Sequence, residues 1–449
     1  MNAMLKPSNN KRALVVGLGL TGRSCVRHLV AHGYQVTGVD TRAAPPDLEK
    51  LKREYPRLEL HIGGLPQQLF DDPGLLVVSP GVSLKEPPIA RAIARGVQPV
   101  GDIELFARAA SAPVLAITGA NGKSTVTALA GAMCQAAGLK TLVGGNIGTP
   151  VLELLAQPAP DVYVLELSSF QLETTWSLNA RAAAVLNLTP DHMDRYASLD
   201  EYAAAKARVF HGNGTLVLNT DDARVARMNL PGRRVVYFGL GVPTANDYGV
   251  VSHDGEEWLA RGTHLLLRAR EVPLAGRHNL ANVLAAMALS DTVGAPVAAQ
   301  IEAVRRFRGL PHRTELVMEK NGVRWINDSK GTNVGATVAA LNGMTAPTVL
   351  IAGGDGKNQD FSDLKPAVAA HARTVVLIGR DASLIETALG SVVPIRRASD
   401  LAAAVALAQS LARSGDTVLL SPACASFDMF RNYEHRGDVF RAAVKELVA

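Results

Sequence analysis

The chain has 449 residues, 47% of them hydrophobic and 19% charged, with a formal net charge of +5. That length suits roughly two to four soluble domains, each with its own core. Basic residues are scattered without a long basic block, which argues against a nucleic-acid partner. The isolated Cys25, Cys134 and Cys424 have no metal-ligand spacing and predict reduced thiols in a cytoplasmic setting.

The opening "MNAMLKPSNNKR" lacks an apolar signal core, so secretion is not expected. Next comes "VVGLGLTGRS", an apolar run ending in Gly17-x-Gly19-x-x-Gly22 and followed by an amphipathic segment. Asp40 ends the next strand-like run, "YQVTGVD", where a ribose-binding acid would stand in a dinucleotide fold. A dehydrogenase is one reading of this pair; another phosphate ligand at a helix N-terminus, or a bare tight turn, is the alternative. "LLVVSPG" and "GVQPVGD" continue the first unit as strand-like runs, to about Gly101. Strands alternating with alanine-rich helical runs throughout predict α/β architecture with parallel sheets.

The second unit opens with "APVLAITGANGKST". Its glycines let backbone amides close around phosphate, and a helix N-terminus favours the anion's charge. Lys123 can reach β- and γ-phosphates, and the Ser124 hydroxyl can ligate Mg²⁺. The loop is shorter than a regular Walker A, whose first glycine would fall at Ile117. "VYVLELSSFQLE" then places Glu166 at the end of a buried-looking strand, as a Mg²⁺-facing carboxylate would be. "NLTPDHMDRY" puts Asp191, His192 and Asp194 after another apolar run; His192 reads as a reactive group or as an ordinary hydrogen-bonded loop histidine.

In "SLDEYAAAKARVF", Ser198 and Glu201 form a capping box, and Tyr202, Lys206 and Phe210 share one helix face. A lysine on an apolar stripe either snorkels outward or is buried with a lowered pKa, able to react with CO₂. Strand-like pieces between Thr215 and Val272 predict a smaller antiparallel sheet, followed by the helical "HNLANVLAAMAL" and "VAAQIEAVRRF". "RGLPHR" reads as a linker near Gly309. The charge-free 331–354 run is broken by Asn342-Gly343 and Pro347, so it predicts helix, turn and strand rather than a membrane span. The last unit offers "NDSKGTN", "GGDGKNQDF" and "SPACASFDMFRNY", strand ends carrying Lys330, Thr332, Lys357 and Ser426, groups suited to a small anionic acceptor.

The ordered motifs "GLGLTG", "SPG", "GDIELF", "ITGANGKSTVT", "GGNIG", "LELSSFQLE", "DHMDRY", "GRHNLAN", "GLPHR", "INDSKGTN", "GGDGK" and "SPACAS" resemble the Mur ligase family over essentially the whole chain. The resemblance implies three domains: 1–101, Rossmann-like and binding a UDP-sugar; 102–309, a central P-loop-type ATPase; and 310–449, Rossmann-like and binding an amino acid. It is nearest to the members of peptidoglycan synthesis that add D-glutamate to UDP-N-acetylmuramoyl-L-alanine with ATP, through an acyl phosphate. Another Mur ligase or a folylpolyglutamate synthase-like amide ligase is the near alternative, and an NAD-dependent oxidoreductase the distant one.

On this resemblance, Leu20, Thr21, Asp40, Thr41, Arg42, Ser79, Pro80 and Gly81 hold the UDP moiety, and Asn146 meets the muramoyl substrate. Gly119, Ala120, Asn121, Gly122, Lys123, Ser124 and Thr125 cradle ATP, with Asn279 and Asn282 at adenine and Arg313 and Asp328 closing over it. Ser124 and Glu166 bind one Mg²⁺; His192, Glu166 and a carbamylated Lys206 organise a second. Lys123, Glu166, His192 and Lys206 form the catalytic set. His192, Lys330, Thr332, Lys357, Ser426 and Tyr433 grip D-glutamate. Gly331 stands where alanine is common, and Tyr433 where phenylalanine also occurs. The expected protein is a cytoplasmic monomer with no nucleic acid and no membrane insertion.

Overall fold

The computed structural model describes residues 11–274 and 276–448. The opening segment, expected to lack a signal core, therefore lies almost wholly outside the described residues. Three sheets follow one another along the chain. The first is built from β1 (Arg12–Val16), β2 (Gln35–Asp40), β3 (Glu59–Ile62) and β4 (Leu75–Val78), all parallel in the order β3-β2-β1-β4. This order reverses direction between β1 and β4, and open α/β sheets bind ligands at such a switch point. The loops that leave it are Gly17–Gly19 and Ser79–Gly81. "GVQPVGD", expected as a strand, contributes only an isolated bridge from Val100 to Val77. Its proline lacks an amide to donate, and the strand missed from sequence is the short, half-polar β3.

The helix Leu20–Ala31 lies directly against its own loop: a Cβ on Gly22 would stand 1.7 Å from the Gly17 carbonyl oxygen. Glycine is what permits that approach.

The central sheet has nine strands: β5 (Val114–Thr118), β6 (Thr141–Gly145), β7 (Val162–Glu166), β8 (Ala182–Val185), β9 (Thr215–Asn219), β10 (Val235–Phe238), β11 (Tyr248–His253), β12 (Glu256–Arg261) and β13 (His264–Arg268). The order is β13-β12-β11-β10-β9-β8-β5-β7-β6. β5 to β10 are parallel, whereas β11, β12 and β13 are antiparallel to one another. The small antiparallel sheet expected between Thr215 and Val272 is therefore confined to β11–β13, because β9 and β10 in the same stretch extend the parallel sheet. It is continuous with the parallel sheet, joined through the single pair Phe238–Tyr248.

β5, β7 and β8 are buried along their whole length, which is why they read as unbroken apolar runs. One face packs on the helices Lys123–Ala136 and Arg277–Asp291. The other shares a continuous core with the first domain, joining Val15, Leu18 and Cys25 to Ile103, Phe106, Val151 and Leu165.

The third sheet contains β14 (Glu315–Lys320), β15 (Val323–Asn327), β16 (Thr348–Gly353), β17 (Ala372–Ile378), β18 (Ile395–Arg397) and β19 (Thr417–Leu420), in the order β14-β15-β19-β16-β17-β18. Only β14 runs antiparallel. Both faces are covered by helices: Val334–Asn342, Leu364–His371 and Ala382–Leu389 on one side, Leu401–Leu411 and Tyr433–Val448 on the other. The charge-free run does form a helix, a turn and the strand β16. Among the described residues no helix is long and apolar enough to cross a membrane.

Candidate functional site

Two glycine loops leave parallel strands and enter helices. In the first, Leu18 N–H donates to Asp40 Oδ2 at 2.7 Å. Arg42 donates to the same carboxylate through its backbone amide (2.9 Å), Nε (2.9 Å) and Nη2 (2.7 Å). Asp40 is buried, and burial alone would raise its pKa; these donors hold its carboxyl low instead. The acid that a dinucleotide reading aims at a ribose is thus engaged locally. It fixes the loop and presents the half-exposed Arg42 guanidinium at the loop's mouth. Ser79 Oγ donates to the Gly17 carbonyl at 2.7 Å, tying the loop after β4 to the loop after β1. Leu20, Thr41, Arg42 and Gly81 are exposed around this switch point, with Thr21 and Pro80 half-buried.

The second loop follows β5. Ala120 N–H donates to the Asn187 carbonyl (2.9 Å), and Asn121 N–H to Asn187 Oδ1 (2.7 Å). Asn187 Nδ2 returns a bond to the Asn121 carbonyl at 3.0 Å. Gly122 has φ +82°, and a Cβ there would lie 2.5 Å from Asn282 Oδ1, so helix Arg277–Asp291 packs onto the loop itself. Asn282 in turn donates to Asn279 Oδ1 at 2.9 Å. Lys123 Nζ rests on the carbonyls of Gly119 (3.0 Å) and Ala120 (2.7 Å), and Thr125 is buried one residue beyond Ser124.

Ser124 Oγ donates to Glu166 Oε2 and accepts from the Arg313 guanidinium. Asn146 Nδ2 donates to Glu166 Oε1 at 2.8 Å. Burial would raise the Glu166 pKa, but Lys123, Arg313 and these hydrogen bonds lower it, so it is a carboxylate at neutral pH. A serine hydroxyl and a carboxylate converging at a phosphate loop are oxygen donors of the kind Mg²⁺ takes. Among the described residues no cluster of three or more His, Cys, Asp or Glu could hold a metal ion.

Lys206 is 1% exposed. Its Nζ donates to the Gly119 carbonyl at 2.8 Å and lies 4.4 Å from the Tyr202 ring centroid. Burial, reinforced by Lys123, drives its pKa far below that of an ordinary lysine. Of the two readings left open, the buried lysine is the one found. The expected capping box is half formed: Ser198 Oγ accepts from Glu201 N–H, while Glu201 Oε2 accepts from Ala197 N–H.

His192 sits at φ +57°, edge-on to Phe170 with ring centroids 4.8 Å apart. Burial, opposed by Asp191 and helped by nearby lysines, lowers its pKa to about 4. Asp191 is bonded by Lys357 Nζ (3.0 Å) and Asn333 Nδ2 (3.1 Å), both from the third domain. Burial opposes ionisation of Asp191, but His192 and Lys357 bring its pKa down to about 2. Asn121 and Asn333 also exchange hydrogen bonds across this boundary. The third domain is thus closed on the central one.

Two clefts meet at the phosphate loop. One, of about 600 Å³, is lined by Asn279, Asn282, Arg313, Asp328, Gly331 and Ala339 among others. Asp328 accepts from Ser421 Oγ and Thr314 N–H, and burial raises its pKa to about 6. The other, of about 890 Å³, brings together Lys123, Asn146, Glu166, His192, Lys206, Lys330 and Thr332. Burial lowers the Lys330 pKa to about 8, and its Nζ lies 3.7 Å from the centroid of the Tyr433 ring. Ser426 and Tyr433 stand outside the lining of both clefts. Sequence reading did not single out Asn187, Phe170 or Asn333. All three lie inside motifs it quoted, and only the fold brings them to the loops they serve.

Family models match in chain order: Mur ligase MurD-like N-terminal domain over residues 11–101, Mur ligase middle domain over 117–290, and Mur ligase glutamate ligase domain over 312–424. The UDP-N-acetylmuramoylalanine–D-glutamate ligase of Nitrosococcus oceani is 53% identical over 451 residues, covering 100% of both chains. That of Pseudomonas aeruginosa is 49% identical, covering 97% of this chain and 98% of the relative. Among solved structures, MurF from Acinetobacter baumannii superposes with a TM-score of 0.62 at 16% identity, covering 96% of this chain and 90% of that one. At that identity the likeness speaks for the fold.

Proposed function

The chain belongs to the Mur ligase family, and we propose from that premise that it joins D-glutamate to UDP-N-acetylmuramoyl-L-alanine with ATP, in peptidoglycan synthesis. The division of labour is 1–101 for the UDP-sugar, 102–309 for ATP and 310–449 for the amino acid. The observation that carries the reading is the Lys123–Ser124 loop facing Glu166 at the end of β7 and met by Arg313 of the third domain, with Lys206 buried beside it.

The L-alanyl carboxylate attacks the γ-phosphorus of ATP, ADP leaves, and an acyl phosphate results. The D-glutamate amine then attacks the acyl carbon; the tetrahedral intermediate expels phosphate and the amine loses a proton. Gly119 to Thr125 cradle the phosphates, with Lys123 turning from its own loop carbonyls to the β- and γ-oxygens. Asn279 and Asn282 meet adenine, and Arg313 and Asp328 close over the nucleotide. Ser124 and Glu166 would hold one Mg²⁺, with His192, Glu166 and Lys206 placed for a second, and the metal would supply positive charge against the transferring phosphoryl group.

A neutral Lys206 amine can add to CO₂ and lose a proton, giving a carbamate anion beside Lys123. Its burial and lowered pKa support this modification. An intact-mass addition of one CO₂ that Lys206→Ala abolishes is the expected sign; an unmodified, fully active wild-type enzyme contradicts it. His192, its pKa lowered by burial and its ring set edge-on to Phe170, is given a positioning role.

Leu20, Thr21, Thr41, Arg42 and the Ser79-Pro80-Gly81 loop hold the UDP moiety, with Asp40 acting through Leu18 and Arg42, and Asn146 meets the muramoyl end. Lys330, Thr332 and Lys357 take the carboxylates of D-glutamate, with Ser426 and Tyr433 behind them. Phosphate release that requires ATP, UDP-N-acetylmuramoyl-L-alanine and D-glutamate together, and that L-glutamate does not support, is the expected result. Release with another amino acid in place of D-glutamate assigns the chain to a different amide ligation.

A further inference from the structure

Arg195 lies three residues beyond His192, in the same turn, where its N–H donates to the His192 carbonyl at 2.9 Å. Its guanidinium leaves the central domain and donates to the first domain, to the carbonyls of Pro80 (2.9 Å) and Val82 (3.1 Å). The same group pairs with Glu173 at 2.8 Å, and its guanidinium carbon lies over the Phe170 ring, 4.2 Å from the centroid. Both partners of the ion pair are largely buried, with side chains 14% and 17% exposed. Phe170 in turn abuts His192. A second tie runs the same way: Lys85 Nζ reaches the Arg195 carbonyl at 3.2 Å and Glu201 at 3.3 Å. Glu201 opens the helix that carries Lys206.

One fork of donors therefore links the Ser79–Gly81 loop to the turn that carries His192. A planar guanidinium can serve two carbonyls, a carboxylate and a ring face at once, which an ammonium cannot. We propose that Arg195 is a positioning residue for the ligation: it sets the spacing between the loop that grips the UDP moiety and the His192 turn that receives the far, carboxylate end of the same substrate. This rests on the proposed function, since it needs a substrate anchored at one end by the first domain and reacting at the other. A substrate held at two separated points gains rate only when that spacing is fixed.

The test compares Arg195→Met with Arg208→Met. Arg208 has the same build, lying 4.2 Å over the Trp176 ring and donating to the Leu172 and Thr175 carbonyls, but it makes no bond to the Ser79–Gly81 loop. KM for UDP-N-acetylmuramoyl-L-alanine, ATP and D-glutamate is measured for each, together with thermal midpoints. The expected result for Arg195→Met is a KM for the UDP substrate raised about tenfold or more and a lower kcat, with KM for ATP within about twofold of wild type. Arg208→Met is expected to lower the thermal midpoint while leaving the three KM values near wild type. Arg195→Lys retains the charge, loses the fork and falls between wild type and Arg195→Met. If Arg195→Met does not fold, Arg195→Lys carries the test alone, with a selective rise in the UDP-substrate KM as the supporting result. Unchanged KM for the UDP substrate, or an equal rise in all three constants, overturns the assignment. Wild-type inactivity toward the three substrates would instead overturn the proposed function.

Discussion

The two glycine loops make an internal comparison. Both leave a buried parallel strand and open a helix, and both are closed by a neighbouring strand-end residue: Ser79 for the first, Asn187 for the second. Their surroundings differ. The first has its acid engaged by Leu18 and Arg42 and no lysine in the loop. The second has Lys123, a hydroxyl–carboxylate pair and a guanidinium arriving from another domain. Loop geometry makes an anion site; the charges placed around it decide whether the anion is held or reacts.

The comparison is broken most severely at Lys123. Lys123→Met should lower kcat by about 10³-fold, the scale of losing a preorganised donor at a developing charge. Calorimetric affinity for the UDP substrate should stay within about twofold; a parallel loss of that affinity would merge the roles of the two loops.

Lys357→Met should come next. It leaves the buried Asp191 carboxylate without its ammonium and loosens the closed arrangement. An approximately hundredfold fall in kcat/KM for D-glutamate is expected, with a larger radius of gyration by solution scattering. A compact, fully active variant would show that closure does not depend on this pair.

Asp40→Asn sharpens the contrast from the other side. The amide can accept only part of the four bonds the carboxylate takes, and charged hydrogen bonds are worth about 1.5–3 kcal/mol. Partial loss should raise KM for the UDP substrate about tenfold and leave KM for ATP unchanged. If the ATP constant moved instead, the first loop would have to be reassigned.

The last test concerns Asp102, where the first domain meets the second, and is read on stability with turnover expected to change least. Its Oδ2 accepts from Gln171 at 2.9 Å, its Oδ1 has no partner, and burial raises its pKa to about 6. A carboxyl with a folded pKa above its unfolded value stabilises the protein at low pH, and that contribution is lost as pH rises from about 4 to about 6. Asp102→Asn should make this downward slope shallower by up to about 3 kcal/mol in the stability–pH curve measured by denaturant titration, the share of Asp328, also raised to about 6, remaining. An unchanged slope would place the titration elsewhere.

Much of this was legible because local sequence carries it. Glycines, a lysine and a hydroxyl within one turn announce a phosphate loop, whereas Tyr202, Lys206 and Phe210 at helical spacing leave Lys206 either snorkelling or buried, and only the fold decides for burial. β3 was missed because a four-residue strand with half-polar faces has little periodicity. Asp40 was placed correctly at its strand end, but its hydrogen bonds to Leu18 and Arg42 depend on side-chain directions that spacing does not encode. The pairs Asp191–Lys357, Asn121–Asn333 and Arg195–Pro80 join residues more than a hundred positions apart. No local pattern marks such contacts; they exist only once three sheets have docked.

The most direct measurement follows one oxygen atom. With UDP-N-acetylmuramoyl-L-alanine labelled with heavy oxygen in its carboxylate, turnover with ATP and D-glutamate should deliver one labelled oxygen into each released phosphate. That is the signature of attack on the γ-phosphorus by the carboxylate. Unlabelled phosphate accompanying full product formation would contradict the acyl-phosphate route, and with it the role given to the Lys123 loop.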